Sequence, residues 1–149
     1  MNVPLLPSKL YRWAVRINWW PDVFAKDGTL FPFNSPYFLV FRMVGVATWE
    51  VEIADFGLDQ CSWALTDGGG LLHNRVKKWP TIDTGFAPLQ PLHFWFKDGK
   101  LGVIIGEENA GIIFDNIPCN DKSLYVYPAV LLCSDHDSVE LLYFFEEGE

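Results

Sequence analysis

Between residues 10 and 20 apolar and polar positions alternate: Tyr11, Trp13, Val15 and Ile17 fall on one side of an extended chain, and Arg12, Ala14, Arg16 and Asn18 on the other. A period of two marks a half-buried strand, which Pro21-Asp22 ends. The cleanest alternation lies at 47–54, with Trp49, Val51 and Ile53 on one face and Thr48, Glu50 and Glu52 on the other. It predicts a strand with one core face and one wet face. Apolar runs predict further strands at 37–43, 60–65, 92–96, 100–105, 112–114, 125–132 and 139–145. Asp27-Gly28 and Asp98-Gly99 read as hairpin turns. Gly68-Gly69-Gly70 reads as a flexible turn, and Gly106 to Gly111 as a polar one. The stretch 71–91 is the least regular. Pro128 places an edge or a bulge in its strand, because proline cannot donate to a ladder. The expected core includes Trp49, Val51, Ile53, Leu101, Val103, Val130 and Leu141.

About nine to eleven short strands at regular spacing, with no convincing amphipathic helix, predict an all-β antiparallel sandwich or barrel. Ten prolines, twelve glycines and 16% aromatic residues fit short strands joined by turns better than long helices. The 149 residues read as one domain, with an apolar arm over 1–8 and an acidic tail over 146–149. The arm is expected to drape over an edge of the domain or to stay disordered.

Charge narrows the choice of partner. A formal charge of −8 repels phosphate backbones and anionic bilayers, so neither nucleic acid nor membrane is an expected partner. The three cysteines, Cys61, Cys119 and Cys133, are an odd set without a C-x-x-C pair. They predict reduced thiols in a cytoplasmic or nuclear protein rather than a secreted disulfide framework.

The last third of the chain resembles a known family. Phe94-Trp95-Phe96, Asp98-Gly99, Leu101-Gly102-Val103, Gly111-Ile112-Ile113-Phe114, Leu124-Tyr125 and Tyr127-Pro128-Ala129-Val130 occur in the order seen in the C-terminal half of SPRY domains. Trp49-Glu50-Val51-Glu52 is similar to their Trp-Glu-Val-Glu strand. Gly106-Glu107 followed by Gly111, with the later Val139-Glu140-Leu141, looks closer to the neuralized homology repeat, a related sandwich. The chain departs from that repeat at Ile105, where a polar turn residue is usual. It also lacks, after Leu132, the aromatic that some SPRY adaptors use to hold a peptide. Arthropod farnesoic-acid-type domains share a similar Phe-Trp…Asp-Gly pair. The resemblance covers roughly 45–145 and implies a two-sheet β-sandwich of the concanavalin-like jelly-roll kind, with recognition of a protein through loops at one end. Many members serve as substrate-recognition parts of ubiquitin ligases. In this chain that role is expected to need a RING or cullin-binding partner from another chain.

The residues offer little catalytic chemistry. Glu50 and Glu52 could act as a glycosidase pair, but their alternation marks a solvated sheet face. His73, His93 and His136 are far apart in sequence, and Asp135-His136-Asp137 lacks the further ligands a metal needs. Cys133 with His136 reads as a strand-end thiol beside a polar loop rather than a nucleophile. Gly68-Gly69-Gly70 lacks the Lys-Ser/Thr and helix of a phosphate loop. No cofactor or metal is expected, and the chain reads as a binding module rather than an enzyme.

Three segments carry the binding expectation. Trp19 and Trp20 are adjacent and so face opposite ways on a strand; one is either an exposed anchor beside Asp22 or covered by the arm. Arg75, Lys77 and Lys78 precede Trp79 in the one basic cluster of an acidic chain, which suits an acidic peptide. The third loop runs from Cys133 to Asp137, with Ser134, Asp135 and His136 as its binding residues. Two other readings remain: a carbohydrate-binding lectin of similar shape with tryptophans as sugar platforms, and a sandwich hydrolase using Glu50 and Glu52.

Overall fold

The computed structural model describes residues 4–6, 9–18, 42–48, 51, 56–74, 76–78, 85–117, 125–132 and 137–147. Among them are ten strands and no helix: β1 (Leu10–Asn18), β2 (Met43–Thr48), β3 (Ser62–Thr66), β4 (Leu71–His73), β5 (Val76–Lys78), β6 (Leu92–Lys97), β7 (Lys100–Ile105), β8 (Glu108–Phe114), β9 (Val126–Leu131) and β10 (Ser138–Glu147). All pair antiparallel, in two five-stranded sheets ordered β10-β1-β6-β7-β8 and β5-β4-β3-β2-β9.

The sheets pack face to face because each offers one continuous apolar face. From the first come Tyr11, Trp13, Val15, Ile17, Leu92, Phe94, Phe96, Leu101 and Val103; from the second come Val44, Val46, Trp63, Leu65 and Val126. Trp13 stacks on Phe94 with ring centroids 5.4 Å apart, and Phe144 tilts against both Tyr11 and Trp13. Fully burying one such side chain contributes about 1.5–3 kcal/mol. β2 and β3 are buried on both faces. Their outer side carries a second, smaller apolar cluster of Met43, Ala47, Ala64 and Leu72 with Phe56 and Val51. A strand covered on both sides reads as a continuous apolar run, which is why MVGVAT shows no alternation.

The arm drapes over an edge where it is described. Leu5 is fully buried, bridges to Val126 and donates its N–H to the Val126 carbonyl, while the Leu6 N–H donates to the Tyr11 hydroxyl. Pro128 sits on β9, an edge strand of the second sheet, as the missing N–H requires. Asp98 and Gly99, with φ of 51° and 76°, make the expected two-residue turn between Lys97 and Lys100.

Several expectations are corrected. Of the strand placed at 47–54, Ala47 and Thr48 are the end of β2, which begins at Met43, and Val51 lies outside it, donating its N–H back to the Thr48 carbonyl; residues 49–50 and 52–54 lie outside the described residues. The polar turn placed at 106–111 is only Gly106-Glu107, and Glu108 to Phe114 is strand. That strand is bulged at two places, and Gly111, at φ 71°, occupies one of them. The irregular stretch after Leu71 contains β4 and β5. Leu101 and Val103 are core as expected, Val51 and Val130 are half-buried, but Leu141 is 46% exposed. Leu141 shares a face with its partner Val15, yet β10 is the edge of its sheet and cover is incomplete there. Trp49, Ile53, the Asp27-Gly28 hairpin and the strand expected before Arg42 lie outside the described residues.

Candidate functional site

Most residues singled out for binding lie outside the described residues: Trp19, Trp20, Asp22, Arg75, Trp79, Ser134, Asp135 and His136, and so do Glu50 and Glu52. Their sequence neighbours are described, and the topology places those neighbours. Asn18, which precedes Trp19, is the ladder partner of Ser138, the first residue of β10. Just before Ser138, Asp137 reaches Arg42, its Oδ2 2.9 Å from Nε and its Oδ1 3.1 Å from the Nη2 donor. Arg42 leads into β2 and also approaches Asp67, with Nη1 3.5 Å from Oδ2, in the turn between β3 and β4. The Arg42 carbonyl accepts the Asp67 N–H. Lys78, which precedes Trp79, pairs with Leu71 immediately after that turn. The described flanks of Trp19, Trp79 and His136 therefore converge on one end of the sandwich.

Arg42 holds that end together. It is the only charge between Tyr37 and Thr48, and its side chain is buried. A charge among apolar neighbours persists only when paired, since an unpaired one costs several kcal/mol. Asp67 and Asp137 come from strand connections, so one guanidinium ties β2, the β3–β4 turn and the entry to β10. Burial lifts the Asp67 carboxyl above the ordinary value of 3.8, against the opposing pull of Arg42. Asp137, within the third expected binding loop, is thus a buried ion-pair partner rather than a surface contact. The lone arginine in FLVFRMVGV was a legible signal of such a partner, though not of its identity.

The described neighbours of Arg75 lie elsewhere. Its neighbours Asn74 and Val76 line a cleft of about 540 Å³ on the side where β4 and β5 face β8. Trp63 and His73 form one wall, stacked at 4.8 Å and 10°, and Ile113, Phe114, Asp115 and Asn116 border the other side. The His73 Nδ1 donates to the Ser62 carbonyl at 2.9 Å, which orients the ring. Lys77 and Lys78 sit on β5, the edge strand beside this cleft. Among the described residues, no three His, Cys, Asp or Glu side chains gather as a metal site would require. His93 is engaged at Nδ1 by the Tyr143 hydroxyl, 2.8 Å away.

Neither a protein-family model nor a curated protein sequence matches the chain. Solved structures do. The SPRY domain of human HERC1 superposes with a TM-score of 0.62 at 17% identity, covering 91% of this chain and 76% of that one. Stonustoxin superposes with a TM-score of 0.55 at 16% identity, covering 95% of this chain but only 20% of its own. The fold is SPRY-like: an all-β, two-sheet antiparallel sandwich.

Proposed function

We propose that this domain is a protein- or peptide-binding module that recognises its partner through the end of the sandwich where β1 leaves and β10 enters. The observation that carries the reading is the convergence of Asn18, Asp67, Lys78 and Asp137 at one end of a SPRY-like scaffold. A rigid pair of sheets presents the segments attached there, and such segments are where sandwiches carry recognition. Trp19, Trp20 and Trp79 supply anchor area, and the Lys77-Lys78 pair favours an acidic segment in the partner. The neuralized-like turn at Gly106 and a role as the recognition part of a ubiquitin ligase belong to the same proposal, as does an intracellular setting for the three thiols. The test is capture of a partner with the intact domain as bait, repeated with Trp19→Ala and Trp79→Ala together. Loss of the partner from the variant, with unchanged melting, supports the reading. Equal capture by both overturns it, and binding on a glycan array with no protein captured would move the domain to the lectin class.

A further inference from the structure

The outer face of the first sheet carries a pattern that the core does not explain. Ladder registers line up Phe145, Arg12, Trp95, Gly102 and Ile112 across all five strands. The neighbouring row runs through Tyr143, Ala14, His93, Ile104 and Asn109. Trp95 does not stand away from the sheet. A Cβ on Gly102 would run into its indole, so the ring lies across the adjacent strand in space that only glycine leaves. Tyr143 stacks on Phe145 and is held by His93. Phe145 and Ile112, at the two ends of the first row, are 43% and 49% exposed. The result is a flat aromatic and apolar strip, fixed in place by its own contacts.

The charge around the strip differs from that of the chain. Arg12, Arg16, Lys97 and Lys100 share this face, against Glu140 and Glu147 on the strands and Asp98 in the β6–β7 turn. Glu140 pairs with Arg16 at 2.7 Å and Glu147 with Arg12 at 3.6 Å. Lys97 and Lys100 are exposed ladder partners beside Trp95 and Gly102. In a domain of charge −8, the Lys97–Lys100 pair thus gives this face a local positive patch beside the indole of Trp95. Such a face repels a basic partner and complements an acidic one.

We propose that this face is a second docking surface, occupied by an extended acidic peptide whose apolar side chains lie on Trp95 and Ile112 and whose carboxylates meet Lys97 and Lys100. The proposal rests on the reading of the domain as a peptide binder, but it uses a surface distinct from the Arg42 end. The probe is a short fluorescein-labelled peptide alternating glutamate with leucine and phenylalanine, compared with the same peptide carrying lysine for glutamate. The glutamate peptide should bind and move the amide resonances of Trp95, Lys97, Lys100, Gly102 and Ile112, and the lysine peptide should not bind. Lys97→Glu with Lys100→Glu should weaken binding by about tenfold or more, with an unchanged melt. Ile112→Ser, at an exposed site, should weaken it without touching the charges. Resonance changes confined to Asn18, Asp67 to Gly70 and Ser138 would overturn this surface while leaving the proposed function standing. Absence of binding by the glutamate peptide, or equal binding by the double variant, would overturn it as well.

Discussion

Arg42 and Asp137 meet across the sandwich, Nε to Oδ2 at 2.9 Å, one residue before β2 begins in one sheet and one residue before β10 begins in the other. The pair couples the two sheets at the end proposed to bind. Asp137→Ala leaves a buried guanidinium with one partner fewer, and removing one member of a buried pair typically costs about 3–5 kcal/mol. Chemical denaturation of Asp137→Ala should show a loss of that order. A loss under about 0.5 kcal/mol, as at ordinary surface sites, would show that the pair does not hold this end.

The Asp67 carboxyl gives a pH signature. Its value is raised in the folded protein by burial, so the native state binds this proton more tightly than the unfolded chain does. The group's contribution to stability is therefore greatest below the ordinary value of 3.8 and declines as pH rises through the raised folded value. Asp67→Asn removes the titration. The melting temperature of the variant minus that of the wild type should increase from acid to neutral pH. A difference that shrinks toward neutral pH would mean that Arg42 dominates and holds the carboxylate ionised.

Gly102 makes room for Trp95, and alanine there forces the indole off the sheet. Gly102→Ala should destabilise the domain by about 1–3 kcal/mol, the usual cost of overpacking, and shift tryptophan fluorescence toward the exposed limit. Unchanged stability and emission would show that the ring has an alternative seat.

The odd cysteine count predicts three reduced thiols. Alkylation of the unfolded chain without reductant should add three labels by mass. A stable intrachain disulfide would instead count against an intracellular setting. Cys61, in the turn before β3, is half-buried, so its labelling should slow in the folded protein.

Local pattern made much of this fold legible. The alternation of Tyr11, Trp13, Val15 and Ile17 reports the inner face of β1 directly, and Asp98-Gly99 reports its turn. Within 47–54 the alternation misplaced Val51, whose N–H bonds back to the Thr48 carbonyl rather than to a neighbouring strand. Leu141 misled because its side-chain parity is right but its strand is an edge. The Arg42 cluster and the Trp63–His73 cleft depend on contacts between segments distant in sequence, which no local period encodes. The aromatic strip is of the same kind: Trp95 and Gly102 each look like ordinary strand residues until the register sets them side by side.

The central claim is that the segments converging beside Arg42 bind a protein partner, and Trp79 is its sharpest test. Titration calorimetry of a captured partner against the wild type and Trp79→Ala, each accompanied by a thermal melt, measures affinity and folding separately. The account predicts a loss of about 2 kcal/mol or more in affinity, the range of interface anchors, with no change in melting. Lys77→Glu with Lys78→Glu should in addition slow association and weaken its dependence on salt. Wild-type affinity in Trp79→Ala, or a variant that no longer folds, would contradict the placement of the binding surface at this end.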